Sequence, residues 1–237
     1  MAKVTKDIAN WAYVSAVGPL LSRGLSEKAR AFRDLKGAIQ FAFAQGDYGL
    51  SVKIMQVKEE ITEVLGLVDR LKPRTLLEIG TAKGGTLFLL TRVASPDALI
   101  LSLDQPGILL GGGHSEWRRK LYQSFALDQQ SIWLYRSDSH SPTTLKSVEE
   151  RLGEKNLDFL FIDGDHSYQG VKKDFEMYSP LVREGGMIAL HDIAPHTAKD
   201  KDVGVSNFWN ELRNEHDTVE IIAKADQGWA GIGVIRR

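Results

Sequence analysis

The sequence predicts an α/β fold: a doubly wound, mostly parallel sheet of seven strands, ending in an antiparallel hairpin and preceded by helices. Three observations carry that expectation. From residue 75 onward, short apolar runs alternate with stretches of helical periodicity. The runs are apolar on both faces, as strands are when helices cover them from either side. The last two runs, 218–223 and 231–237, are joined only by "KADQGWA", which is too short for a helical crossover and so requires antiparallel pairing.

Taken in order, the elements are these. Residues 8–21 follow Lys3 and Lys6 and loosely resemble the apolar part of a signal peptide, but Asp7, Asn10 and Ser15 interrupt the pattern, which reads better as an amphipathic segment. From 26 to 45, Ala29, Phe32, Leu35, Ile39 and Phe43 recur at spacings of three and four after Ser26, a fitting N-cap, until Gly46-Asp47-Tyr48-Gly49 breaks the helix. A second helix is expected over 57–71, with Val57, Ile61, Val64, Leu65, Val68 and Leu71 on one face and Pro73 as its stop. Strands then follow at 75–80, 99–104, 131–136, 157–163 and 186–192, with helices near 86–94, 115–126, 142–152, 168–182 and 204–214. Five β-α units of this kind make a doubly wound sheet.

Composition narrows the class. The chain has 237 residues and no cysteine, so disulfides, thiolate zinc sites and thiol nucleophiles are excluded and an intracellular setting is mildly favoured. Thirty basic against 31 acidic residues give no field to draw nucleic acid or an anionic membrane. No run approaches the roughly 20 apolar residues of a membrane span. A soluble, cytoplasmic protein is the expectation.

In open α/β sheets, ligands sit outside the carboxyl ends of the strands. Polar residues collect there: Glu78 and Gly80 end the first strand, Asp104 the second, Asp138 lies just past the third, Asp163 ends the fourth, and His191-Asp192 end the fifth. "LLEIGTAKGGT" (76–86) reads as strand, glycine turn and helix start, in which Gly84 and Gly85 would let a ligand approach the backbone. Glu78 would repel a pyrophosphate but suits a cationic amino group. Asp104, 24 residues after Gly80, suits the two hydroxyls of a ribose. "RSDSH" (136–140) places Asp138 and Ser139 where an adenine would lie, or is simply a turn.

"IDGDH" (162–166) concentrates the chemistry. Asp163 is the leading metal-ligand candidate, for a hard cation such as Mg2+, with His191 and Asp192 facing it from the next strand. His166 is placed to take a proton from a substrate hydroxyl, unless it is a surface loop histidine. Asp165 could be a ligand, an orienter of His166 or a helix cap. Two rival constellations overlap this stretch. Tyr168 and Lys172 have the spacing of a short-chain oxidoreductase dyad serving NAD(P), though the glycine turn and strand count disagree with it. Asp163-Gly164-Asp165 can be read as the D-x-D metal site of a glycosyltransferase, though such chains usually open on their nucleotide-binding strand.

Together, "LLEIGTAKGGT", an acid ending the second strand, "LDFLFIDGDHSYQGVKKDFEMYSPLVREGGMIALHDI" (157–193) and a terminal hairpin resemble the class I S-adenosylmethionine-dependent methyltransferases, a Rossmann-like fold. The likeness is greatest to the metal-dependent O-methyltransferase branch that includes macrocin-type and rhamnosyl sugar methyltransferases and cephalosporin-hydroxylase-type proteins. The loop 104–122 adds to it. The resemblance implies that Glu78, Gly80, Thr81, Ala82, Gly84 and Gly85 hold the methionine part of S-adenosyl-L-methionine. Asp104 would bind its ribose, and Asp138 and Ser139 would lie by its adenine. It further implies Asp163 and Asp192 as ligands of Mg2+ or another divalent cation, with His191 beside them, and His166 as base. The acceptor would be a hydroxyl of a small molecule, a sugar or natural product, with a hydroxylase-type activity as an alternative. Residues 73–237 would form the cofactor-binding domain. Residues 1–72 would be a helical lid or an oligomerisation segment of a homo-oligomer.

Overall fold

A computed structural model describes residues 22–44, 51–106, 116–197 and 202–237. The expected segment 8–21, the expected helix break at 46–49 and residues 107–115 of the loop 104–122 lie outside these residues. Seven strands form one sheet in the order β3-β2-β1-β4-β5-β7-β6: β1 Thr75–Ile79, β2 Leu99–Asp104, β3 Ser131–Arg136, β4 Leu157–Ile162, β5 Val182–His191, β6 Asp217–Ile221 and β7 Ile232–Arg236. β1 to β5 are mutually parallel, whereas β7 runs antiparallel to both β5 and β6. The doubly wound sheet and its closing hairpin are therefore present as expected.

The helices are α1 (described over 22–31), α2 Leu35–Phe43, α3 Lys58–Leu71, α4 Gly85–Val93, α5 Glu116–Gln123, α6 Pro142–Leu152, α7 Tyr168–Tyr178 and α8 Val205–Leu212. A strand's side-chain period of two sends alternate residues to opposite faces. Leu76, Ile100, Phe159 and Phe161 enter one core with α2, α3, α4 and α5. Leu77, Leu101, Leu160 and Ile188 enter the other with α6, α7 and α8. Each such side chain, fully buried, stabilises the fold by roughly 1.5–3 kcal/mol relative to exposure.

Two of the differences from the sequence reading have a clear cause. The single helix expected over 26–45 is two helices. Ser26 is no cap: its hydroxyl donates to the carbonyl of Ser22 inside α1. The break falls at 32–34. There Asp34 caps α2 by accepting from the Gly37 amide at 2.8 Å, and Phe32 stacks back on Phe41. The half-buried end of α1 is closed by Arg92 from α4, whose guanidinium donates to the carbonyls of Ala29 and Phe32, groups a helix end leaves unpaired. Periodicity alone could not see this, because apolar residues on both helices point into one core. The second difference is β5, which begins at Val182 rather than 186, since Glu184-Gly185 hide its start and a register shift against β4 falls between Leu157 and Phe159.

α3 is fixed to the far end of the sheet by a buried acid. Glu60 has no exposure; its Oε1 accepts from the Ala223 amide and the Gln227 side chain, and its Oε2 from the Gly231 amide. Removing a carboxylate that satisfies three donors orphans them. Glu60→Ala should therefore cost about 3 kcal/mol in urea denaturation and should speed hydrogen exchange at Ala223 and Gly231. Unchanged exchange there would refute the anchor.

Candidate active site

The strand order reverses between β1 and β4, so a crevice opens at their carboxyl ends. A cleft of about 740 Å3 lies there, bordered by the turn after β1, the ends of β2, β4 and β5, and residues 53–56 from the chain before α3. Its walls include Gly80, Thr81, Ala82, Asp104, Asp138, Ser139, Asp163, His166, His191 and Asp192, so most residues singled out from the sequence share one space.

The turn 80–85 is held from beneath. The register sets Glu78 opposite Ser102. Ser102 Oγ donates to Glu78 Oε2 at 2.8 Å and also pairs with Thr81 Oγ1. Glu78 has no exposure and its Oε1 has no hydrogen-bond partner. Burial pushes its carboxyl up to about 8, with Asp163 and Asp104 adding to the rise against Ser102. Glu78 thus lies under the cleft wall, largely protonated at neutral pH, whereas the sequence reading gave it to a cationic group as a carboxylate. Asp104 Oδ2 accepts from the Ala82 amide at 3.0 Å and so fixes the turn next to the end of β2. Gly84 and Gly85 answer to packing: a Cβ at Gly84 would meet the Tyr122 ring at 2.5 Å, and one at Gly85 the backbone of Ile54 at 2.5 Å. Past β3, Asp138 Oδ1 accepts from the His140 amide, a turn within the cleft wall.

At the other end, Asp163, His191 and Asp192 bring one ligand atom each within 4.8 Å of one another. His191 Nδ1 stands 3.1 Å from Asp163 Oδ1 and 3.3 Å from Asp192 Oδ1. His191 is 5 % exposed. Its burial pulls the imidazole down, but the two carboxylates outweigh that and raise it to about 10. Burial would raise Asp192, yet its bonds and charge pairing with His166 and His191 hold it well below the usual carboxylate range. His166 Nδ1 pairs closely with Asp192 Oδ2, which raises the histidine, while its Nε2 lies 4.0 Å from Asp163 Oδ1.

Asp165 borders the cleft but stands outside the Asp163–His191–Asp192 group: its Oδ1 accepts from the Ser167 amide, and Ser167 is the residue that caps α7. The D-x-D reading therefore loses its second carboxylate. Tyr168 and Lys172 do come together, 3.2 Å between Lys172 Nζ and the phenol oxygen, but at the α7–α8 contact, where the phenol donates to Glu211. They do not border the cleft, so the dyad spacing is met away from the 80–85 turn and the strand-end acids. Trp209 is core, Trp133 lies under Arg151, and Trp229 borders the cleft.

Sequence reasoning missed Gln56. Its Nε2 donates to Asp163 Oδ2 at 2.7 Å and its Oε1 accepts from Thr86 at 2.9 Å. It missed His196 too, whose Nε2 lies 3.4 Å from Asp192 Oδ1. Neither stands at a strand end, and no spacing marks them. Among the described residues, no helix is long and apolar enough to cross a membrane.

Residues 77–193 match the family model described as "Methyltransferase domain". An uncharacterised protein of Acanthamoeba polyphaga mimivirus is 31% identical over 118 residues, covering 50% of this chain and 51% of that protein. An uncharacterised protein of Sinorhizobium fredii is 26% identical over 148 residues, 62% of this chain and 16% of that protein. The matches thus span about half of one curated relative and a sixth of the other. In three dimensions the chain is similar to the O-methyltransferase of Bacillus cereus solved with SAH (S-adenosylhomocysteine), at 18% identity and a TM-score of 0.61, over 94% of this chain and 97% of that one.

Proposed function

We propose that the protein moves the methyl of S-adenosyl-L-methionine to a hydroxyl of a small molecule, a sugar or natural product, with a divalent cation assisting; the match of residues 77–193 to a methyltransferase domain model and the fold shared with an O-methyltransferase support this reading. The observation that carries this reading is the meeting of Asp163, His166, His191 and Asp192 in the same cleft as the 80–82 turn and Asp104.

The donor set fits the cofactor. The 80–82 turn offers backbone at the reversal point of the sheet, and Asp104 offers a carboxylate where ribose hydroxyls would come. Asp138 and Ser139, on the cleft wall past β3, would lie by its adenine. Bound there, the cofactor supplies a methyl already electrophilic on its sulfonium. The chain must then align an oxygen with it and take the proton from that oxygen. Asp163, His191 and Asp192 would hold the cation, whose charge lowers the pKa of the acceptor hydroxyl. Because Nδ1 of His166 is held by Asp192, Nε2 is the nitrogen left to accept that proton. Met55 and Gln56, from the segment before α3, border the cleft, which supports a lid role for the N-terminal segment.

S-Adenosylhomocysteine should raise the melting temperature by linkage, whereas NADH should not. Asp104→Ala should weaken that binding roughly 10-fold to 100-fold, about 1.4–2.8 kcal/mol, measured by calorimetry. A missing shift with S-adenosylhomocysteine would end the proposal. His166→Gln should lower turnover at least about 100-fold with the affinity for S-adenosylhomocysteine unchanged. Full activity in that variant would remove His166 as base and leave the cofactor assignment standing.

A further inference from the structure

We propose that the Asp163–His191–Asp192 centre is built for a divalent transition ion, of the Mn2+, Fe2+ or Co2+ kind, in preference to Mg2+, and that His191 supplies a nitrogen ligand. This deepens the reading above, on which it rests.

The argument begins with the orientation of the two carboxylates. Each has one oxygen tied back: Asp163 Oδ2 accepts from Gln56, and Asp192 Oδ2 pairs with His166. Each presents its other oxygen to the same atom, His191 Nδ1, at 3.1 and 3.3 Å. Ligand atoms bonded to one ion at roughly 2.1–2.2 Å stand about 3 Å apart along the edges of an octahedron. Those two separations match such edges, and the three ligand atoms all lie within 4.8 Å of one another. Those two carboxylates are the imidazole's only charge partners among the described residues, and Nε2 of this buried side chain makes no hydrogen bond. Outer groups holding the far oxygens of the ligands are what a metal centre requires. Mg2+ is hard and seeks oxygen, whereas imidazole suits the later divalent ions. A centre with one buried nitrogen among two carboxylates therefore favours those ions.

The test uses the full chain without cofactor, so that its outcome is independent of methyl transfer. Mg2+, Mn2+ and Co2+ are titrated by calorimetry, and pulsed electron paramagnetic resonance of the Mn2+ form looks for a directly bound nitrogen. Co2+ should bind at least tenfold more tightly than Mg2+, and the Mn2+ signal should carry nitrogen modulation. His191→Asp, an all-oxygen centre, should lower the Co2+ to Mg2+ affinity ratio at least tenfold. His191→Asn should do the same and remove the nitrogen modulation, which covers the case in which three carboxylates together prevent folding. Equal wild-type affinities, a ratio unmoved by both variants, or no binding of any of the three ions would overturn the proposal. S-Adenosylhomocysteine binding retained in those cases would leave the methyltransferase reading intact; its loss would sink that reading separately.

Discussion

Gly80→Ala should leave little folded protein. Gly80 sits at φ +94, and a Cβ there would lie 1.9 Å from the Asp163 carbonyl oxygen and 2.5 Å from its carbon. Backbone is what it would strike, and that backbone is tied in place. The Gly80 amide donates to Leu103 at 2.9 Å, and the Asp163 amide donates to Ile79 at 2.8 Å. Neither strand end can retreat without breaking the sheet at its reversal point. Left-handed backbone alone costs a non-glycine residue about 1–2 kcal/mol, and overlap with fixed backbone adds to it, so a loss above about 4 kcal/mol is expected. Gly185→Ala is the control. Its φ is +73, but the nearest atom a Cβ would meet is the end of the Arg183 side chain, at 3.1 Å. It should cost the backbone strain alone. Similar urea midpoints for the two variants would show that the contact with Asp163 does not matter.

That contact shows what the sequence could and could not convey. The glycine turn and the acids at strand ends were legible because strand, turn and helix each leave a pattern within a few residues. The purpose of each glycine was not. Gly80 yields to Asp163, 83 positions later in the chain, and Gly84 yields to Tyr122. Gathering Asp163, His191 and Asp192 was likewise foreseeable, since neighbouring parallel strands end side by side. The supports were hidden: Gln56 comes from the segment before α3, and only the packing of that helix on the sheet brings it to Asp163. The split of the first helix was hidden too, because its cause, Arg92 closing the carbonyls of Ala29 and Phe32, lies in α4.

Glu78 gives the clearest pH signature. In a strand covered on both faces, sequence cannot tell an acid that reaches the cleft from one sealed beneath it. Glu78 is sealed, and burial shifts its carboxyl from 4.5 to about 8. The folded state therefore holds a proton that the unfolded chain gives up. Stability falls as pH rises from about 4.5 towards 8, by at most about 1.4 kcal/mol per unit, and is flat in this respect above 8. Glu78→Gln mimics the protonated acid and keeps an acceptor for the Ser102 hydroxyl, so it should remove that slope. The variant should match the natural protein near pH 4.5 and exceed it by several kcal/mol at pH 8, read by urea denaturation of both across the range. A difference that does not grow with pH would mean that Glu78 is ionised in the fold. The charge beneath the turn would then be a permanent part of the cleft, and the cationic partner first read from the sequence would return as its reason.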